Sequence, residues 1–145
     1  MVGETGGLRI LLVEDDPLMR GALSRTLRQL GHGPVQSGSA EDALERLTME
    51  QPDMVLTDLH MPTSDGKLFV QTLCAAHPNL PVMVVTGESD RVRLGRALRG
   101  LSIRAVLLKP VNAASLAAQL EALSAEVELL RGAKRKRQSS SVPLA

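Results

Sequence analysis

Residues 8–17 read LRILLVEDDP. Apolar side chains run without a break from Ile10 to Val13, and Glu14, Asp15 and Asp16 follow at once. So short an unbroken run predicts a strand covered on both faces. Pro17 suits the first turn of a helix, and Leu18, Ala22, Leu23, Thr26, Leu27 and Leu30 recur at helical spacing until Gly31 stops it. The alternation continues. A weak strand is expected at Pro34–Ser37. Ser39 caps a helix with Ala40, Ala43, Leu44 and Leu47 on one face, which Pro52 and Asp53 break. MVLTD (54–58) is again apolar and ends in acid, and a loop from Leu59 to Gly66 contains Pro62 and an Asp65-Gly66 turn signal. Further helices are expected at about 67–76 and 90–99, the latter weakened by Gly95. Strands are expected at PVMVVT (81–86) and at 105–108, before Lys109-Pro110. Asn112 then caps a last helix running to about Arg131. Five strands alternating with five helices predict an α/β fold, a doubly wound parallel sheet with helices on both faces.

The composition agrees with one globular domain: 145 residues, 43% apolar and 23% charged. One Phe and no Tyr or Trp leave almost no stacking platform for single-stranded nucleic acid. The net charge of +1 conceals four basic residues at 134–137, without which the chain is mildly acidic. Residues 1–7 are expected to fray, and 132–145, basic and then Ser-rich, to form a disordered tail or linker stub. That tail attracts nucleic acid only weakly and without specificity. Leu68–Gly87 is the longest stretch free of charge, but Gln71, His77, Pro78, Asn79 and Pro81 interrupt it, so no bilayer span is expected. The single cysteine, Cys74, and the lack of a charged-then-apolar leader point to the cytoplasm. Cys74 itself reads as a packing residue.

In such a sheet, ligands sit beyond the carboxyl ends of the strands. Those ends carry Glu14, Asp15 and Asp16, then Asp58, Thr86 and Lys109, whereas the second strand, ending near Ser37-Gly38, offers nothing charged. Asp16, just before Pro17, also reads as a helix cap. Close carboxylates repel, and a hard cation with oxygen ligands, Mg²⁺, relieves the repulsion. One carboxylate oxygen can then attack phosphorus while an ammonium and a hydroxyl neutralise the phosphoryl oxygens. Gly3–Gly7 precedes a strand rather than following one and is no phosphate cradle. His32, His60 and His77 lack zinc-like spacing.

ILLVEDDP (10–17), VLTDLHMPTSDG (55–66), VVTG (84–87) and LLKP (107–110) together resemble, in order and spacing, the receiver domain of bacterial two-component response regulators. The resemblance covers about residues 8–131. It implies a flavodoxin-like sheet of strand order 2-1-3-4-5. It also implies that Asp58 is the phosphoacceptor, that Asp15 and Asp58 ligate Mg²⁺ with the backbone carbonyl of His60, and that Glu14 does so through a water. Thr86 and Lys109 would contact the phosphoryl group, Pro62 and Gly66 would shape the adjacent loop, and the Lys109-Pro110 bond would be cis. The implied partner is a histidine kinase or phosphotransfer protein, and the chain would be a phosphoacceptor rather than a stand-alone enzyme, assisting its own phosphoryl transfer and hydrolysis.

Two positions stand out against the family pattern. Val106 occupies the switch position, where Tyr or Phe is usual and rotates inward with the threonine; valine has no ring to swing. His60, two residues after Asp58, is titratable near neutral pH where the family varies and where water reaches the acyl phosphate. Arg91, Arg93, Arg96, Arg99 and Arg104 read either as a basic docking patch on the fourth helix–fifth strand–fifth helix face or as a solvated surface. Leu116, Leu120, Leu123, Val127 and Leu130 form a heptad seam; the first three are expected in the core and the last two beyond the sheet, pairing with a second copy. The rival to a phosphorylation switch is an interaction scaffold that is never phosphorylated. An aspartate-dependent phosphatase would need an acid where His60 stands.

Overall fold

The computed structural model describes residues 7–59, 66–87 and 91–140. Five parallel strands, β1 (Arg9–Val13), β2 (Gly33–Ser37), β3 (Met54–Asp58), β4 (Val82–Thr86) and β5 (Ile103–Leu108), lie in the order β2-β1-β3-β4-β5. They alternate with α1 (Pro17–Gln29), α2 (Ala40–Glu50), α3 (Gly66–Ala76), α4 (Arg91–Ala97) and α5 (Ala113–Ser140). The order is the one the resemblance implies, and β3 and β4 are buried at every residue.

Alternation along the strands sorts side chains into two layers. Leu8, Ile10, Leu12, Met54, Leu56, Met83 and Val85 pack on Leu23 and Leu27 of α1 and on α5. Leu11, Val13, Val55, Val82 and Val84 pack on α2 and α3, where Phe69, Val70 and Leu73 are buried and Cys74 lies alongside. The caps read from sequence are present. The Asp16 side chain accepts from the Leu18 N–H at 3.0 Å, Ser39 Oγ from the Asp42 N–H at 3.1 Å, and Asn112 Oδ1 from the Ala114 N–H at 2.8 Å.

Four expectations are corrected. Val127 does not lie beyond the sheet: it is 2% exposed, within the layer that holds Leu116, Leu120 and Leu123. From Leu116 to Val127 a helix advances about 16 Å at ~1.5 Å per residue, which matches a five-residue strand at ~3.3 Å per residue. The side chain of Leu130 lies outside the described residues. Helix α5 also continues to Ser140 instead of ending near Arg131; Ala, Lys, Arg and Gln are good helix formers, and Gly132 alone does not break the run. Third, β5 begins at Ile103, with an irregularity that pairs Val82 with Ile103 and Met83 with Ala105. The extra residue, Arg104, is tolerated because β5 is the edge strand. Helix α4 is shorter than expected and contains no buried residue, with Gly100 at φ 77° just beyond it.

Val127→Ala is expected to destabilise the fold by about 1.5–3 kcal/mol, the loss of two buried methyl groups plus a cavity. Leu129→Ala, at a 75% exposed position, should change stability by less than ~0.5 kcal/mol. Denaturant titration of the two variants checks the pair.

His32 supplies a pH-dependent term. Its Nδ1 accepts from the Leu8 N–H at 3.0 Å at the head of β1, which requires the neutral ring, and burial pushes its pKa below 6.5. The unfolded chain therefore takes up this proton first, so the contribution is complete above pH 6.5 and declines as pH falls through the folded value. Thermal melts between roughly pH 7 and 5 should show a falling midpoint whose slope His32→Leu reduces.

Candidate functional site

The carboxyl ends of the strands converge as expected. The Glu14 N–H donates to the Ser37 carbonyl at 3.0 Å, which locks the end of β1 to the end of β2. The side chain of Glu14 is 2% exposed and that of Asp58, the last residue of β3, 3%. Lys109 spans them: its Nζ donates to Glu14 Oε1 at 3.1 Å and to Asp58 Oδ2 at 2.8 Å. Glu14 Oε2 accepts from the Asp16 N–H at 3.1 Å. One carboxylate oxygen from each of Glu14, Asp15 and Asp58 lies within 4.8 Å of the others.

Burial pushes the Glu14 carboxyl up; the Asp16 N–H and the Lys109 ammonium oppose this without cancelling it, and the Asp58 charge reinforces it. Burial alone would lower Lys109, but the hydrogen bonds to Asp58 and Glu14 outweigh it and hold the ammonium above its ordinary value. The cluster is thus an anionic cup whose repulsion is relieved by one internal cation. Three hard oxygen donors at this spacing also suit a hard divalent cation.

Thr86, wholly buried at the end of β4, is tied to Lys109 through the backbone: the Lys109 N–H donates to the Thr86 carbonyl at 2.9 Å. The Lys109-Pro110 bond is cis. Val106 pairs in register with Val84 and is 37% exposed. His60 and Pro62 lie outside the described residues, and Gly66 opens α3. Of the five arginines in the expected patch, Arg104 is committed within the chain, with Nη2 at 2.6 Å from Glu126 Oε1 of α5; Arg91, Arg96 and Arg99 are exposed.

Sequence reasoning missed Arg20. Its Nη1 donates to the Glu14 carbonyl at 2.8 Å just after β1, and the same guanidinium lies against Gly38 just after β2, the strand end that offered no charge of its own. The available signal was local: Arg20 follows the acidic turn by one helical turn, and Gly38 leaves space opposite.

The family model for the response regulator receiver domain matches residues 10–121. Response regulator protein FleR of Pseudomonas aeruginosa is 38% identical over 108 residues, covering 74% of this chain and 23% of that protein. Regulator of RpoS of Escherichia coli is 33% identical over 106 residues, covering 73% and 31%. Transcriptional regulatory protein PdtaR of Mycobacterium tuberculosis is 32% identical over 114 residues, covering 78% and 55%. The chain therefore spans only part of the length of these relatives. In fold it superposes on a response regulator receiver domain protein from Clostridium thermocellum with a TM-score of 0.75 at 23% identity, covering 84% of this chain and 98% of that one. For NtrX from Brucella abortus the TM-score is 0.79 at 24% identity, covering 96% and 32%. With the strand order, the acidic cup and the lysine across it already in place, these matches establish that the chain belongs to the response regulator receiver domains.

Proposed function

We propose that this chain is a phosphorylation-dependent switch of a two-component system, with Asp58 as the phosphoacceptor and a histidine kinase or phosphotransfer protein as the donor. Phosphorylation switching is the general function of the family. The observation that carries the assignment to Asp58 is the Lys109 ammonium set between Glu14 and Asp58 beside Asp15. An Asp58 oxygen would form the new bond to phosphorus while the donor's P–N bond breaks, its electron pair leaving on the donor nitrogen, which takes a proton. Asp15 and Asp58, with the His60 carbonyl and Glu14 through a water, would hold Mg²⁺, which when bound offsets carboxylate charge and polarises the phosphoryl oxygens. Lys109 and Thr86 would neutralise the oxygens the ion does not reach, and the same groups would assist hydrolysis of the acyl phosphate. Residues 8–131 would form the receiver unit, working in the cytoplasm; among the described residues no helix is long and apolar enough to cross a membrane.

Val106 favours a second reading, a scaffold that signals without phosphorylation, because this position has no ring to couple Thr86 to the surface. Incubation with Mg²⁺ and acetyl phosphate or phosphoramidate, followed by intact mass, separates the two. One added phosphoryl group is expected in the parent, and none in Asp58→Ala or after chelation of the metal. No addition from these donors or from cognate kinases would leave the scaffold.

A homodimer through α4, β5 and α5 is supported by exposed apolar side chains, Val92 on α4 and Val106 and Leu108 on β5, and by the exposed Arg91 and Arg96 of α4. Sedimentation should show association that increases on phosphorylation and that Leu108→Glu abolishes; a monomer throughout would refute it.

A further inference from the structure

We infer that Arg20 is a positioning residue for the acidic rim: its guanidinium, seated against Gly38, clamps the main-chain carbonyl of Glu14 and thereby fixes where the turn after β1 presents Glu14 and Asp15. The clamp is a charge-assisted hydrogen bond of 2.8 Å from Arg20 Nη1 to the Glu14 carbonyl. On the other side of the same residue, the Glu14 N–H is held at 3.0 Å by the Ser37 carbonyl. The backbone of Glu14 is therefore gripped from α1 and from β2, and its carboxylate is left to meet Lys109 and the Asp16 N–H.

Gly38 supplies the seat. A Cβ at that position would lie 3.1 Å from Arg20 Nη1 and 3.8 Å from Cζ. Gly38 is not among the residues at positive φ, so its backbone does not demand glycine; the space it leaves is the space the guanidinium uses. A group that orients a metal ligand without touching the metal typically accounts for 10–100-fold in metal affinity.

The inference rests on the reading of the rim as a Mg²⁺ site, and it makes a prediction of opposite sign to a plain charge effect. An arginine acting only as a nearby cation repels Mg²⁺, so its removal would tighten binding. An arginine acting as a clamp holds the ligands in place, so its removal weakens binding.

Titration calorimetry of the full chain with MgCl₂, with circular dichroism confirming the fold, decides between them. Arg20→Gln is expected to bind Mg²⁺ roughly tenfold more weakly. Arg20→Lys, which keeps the charge and one donor but not the planar fork, should recover only part of this. Gly38→Ala, which displaces the guanidinium, should weaken binding by a smaller factor and add nothing to Arg20→Gln; it carries the test should Arg20→Gln fail to fold. Unchanged or tighter binding in Arg20→Gln, or a Gly38→Ala effect that persists without Arg20, would overturn the inference while leaving the Mg²⁺ site intact. A parent protein that binds no Mg²⁺ would overturn the reading of the rim, and the clamp with it.

Discussion

Lys109 reaches across the top of the sheet to Glu14, 95 residues earlier, and to Asp58, 51 residues earlier, and the rest of the site is arranged around that bridge. Two nearly buried carboxylates in one cup repel each other and lose hydration. A buried charge deprived of its partner typically costs roughly 3–5 kcal/mol, and the Lys109 ammonium is the partner that Glu14 and Asp58 share. It can serve both only because β5 is joined to β4 in register and the Lys109 N–H is tied to the Thr86 carbonyl.

Burial around that bridge is uneven. Strands β3 and β4 are buried throughout, and the α1 and α5 layer grips them along their whole length through Leu23, Leu27 and the ridge from Leu116 to Val127. Helix α4 contrasts with this. It has no buried residue and rests on the sheet through half-buried Leu94 and Ala97. Elements with few buried contacts open most easily, and α4 is the helix that follows the strand ending in Thr86. Val106, lying exposed on the neighbouring strand, has no ring.

Most of the fold was legible because local and global preferences agree. The apolar runs Ile10–Val13 and Met54–Leu56 read as covered strands because they are short and end in acid, and Asp16, Ser39 and Asn112 cap the helices they precede. The misreadings have different causes. The basic, Ser-rich composition after Arg131 suggests a tail, whereas the continuation to Ser140 follows helix propensity through the basic run. Val127 was placed outside the core by estimating where the sheet ends, a length that depends on packing. Arg104 reads as a surface charge in sequence; the bulge at the start of β5 and the ion pair to Glu126 belong to pairing between distant segments.

By itself the sequence determined the periodicity of the strands and helices, the caps, and the presence of acids, a hydroxyl and a lysine at successive strand ends, because each of these is settled within a few residues by propensity and burial pattern. Tertiary structure alone decided which charges meet. The 4.8 Å grouping of Glu14, Asp15 and Asp58, the Lys109 bridge and the seat of Arg20 over Gly38 all depend on strand order and crossover geometry. Hydrogen bonds and ion pairs act over about 3 Å, whereas the residues they join here lie up to 95 positions apart, so only the packed sheet can bring them within range.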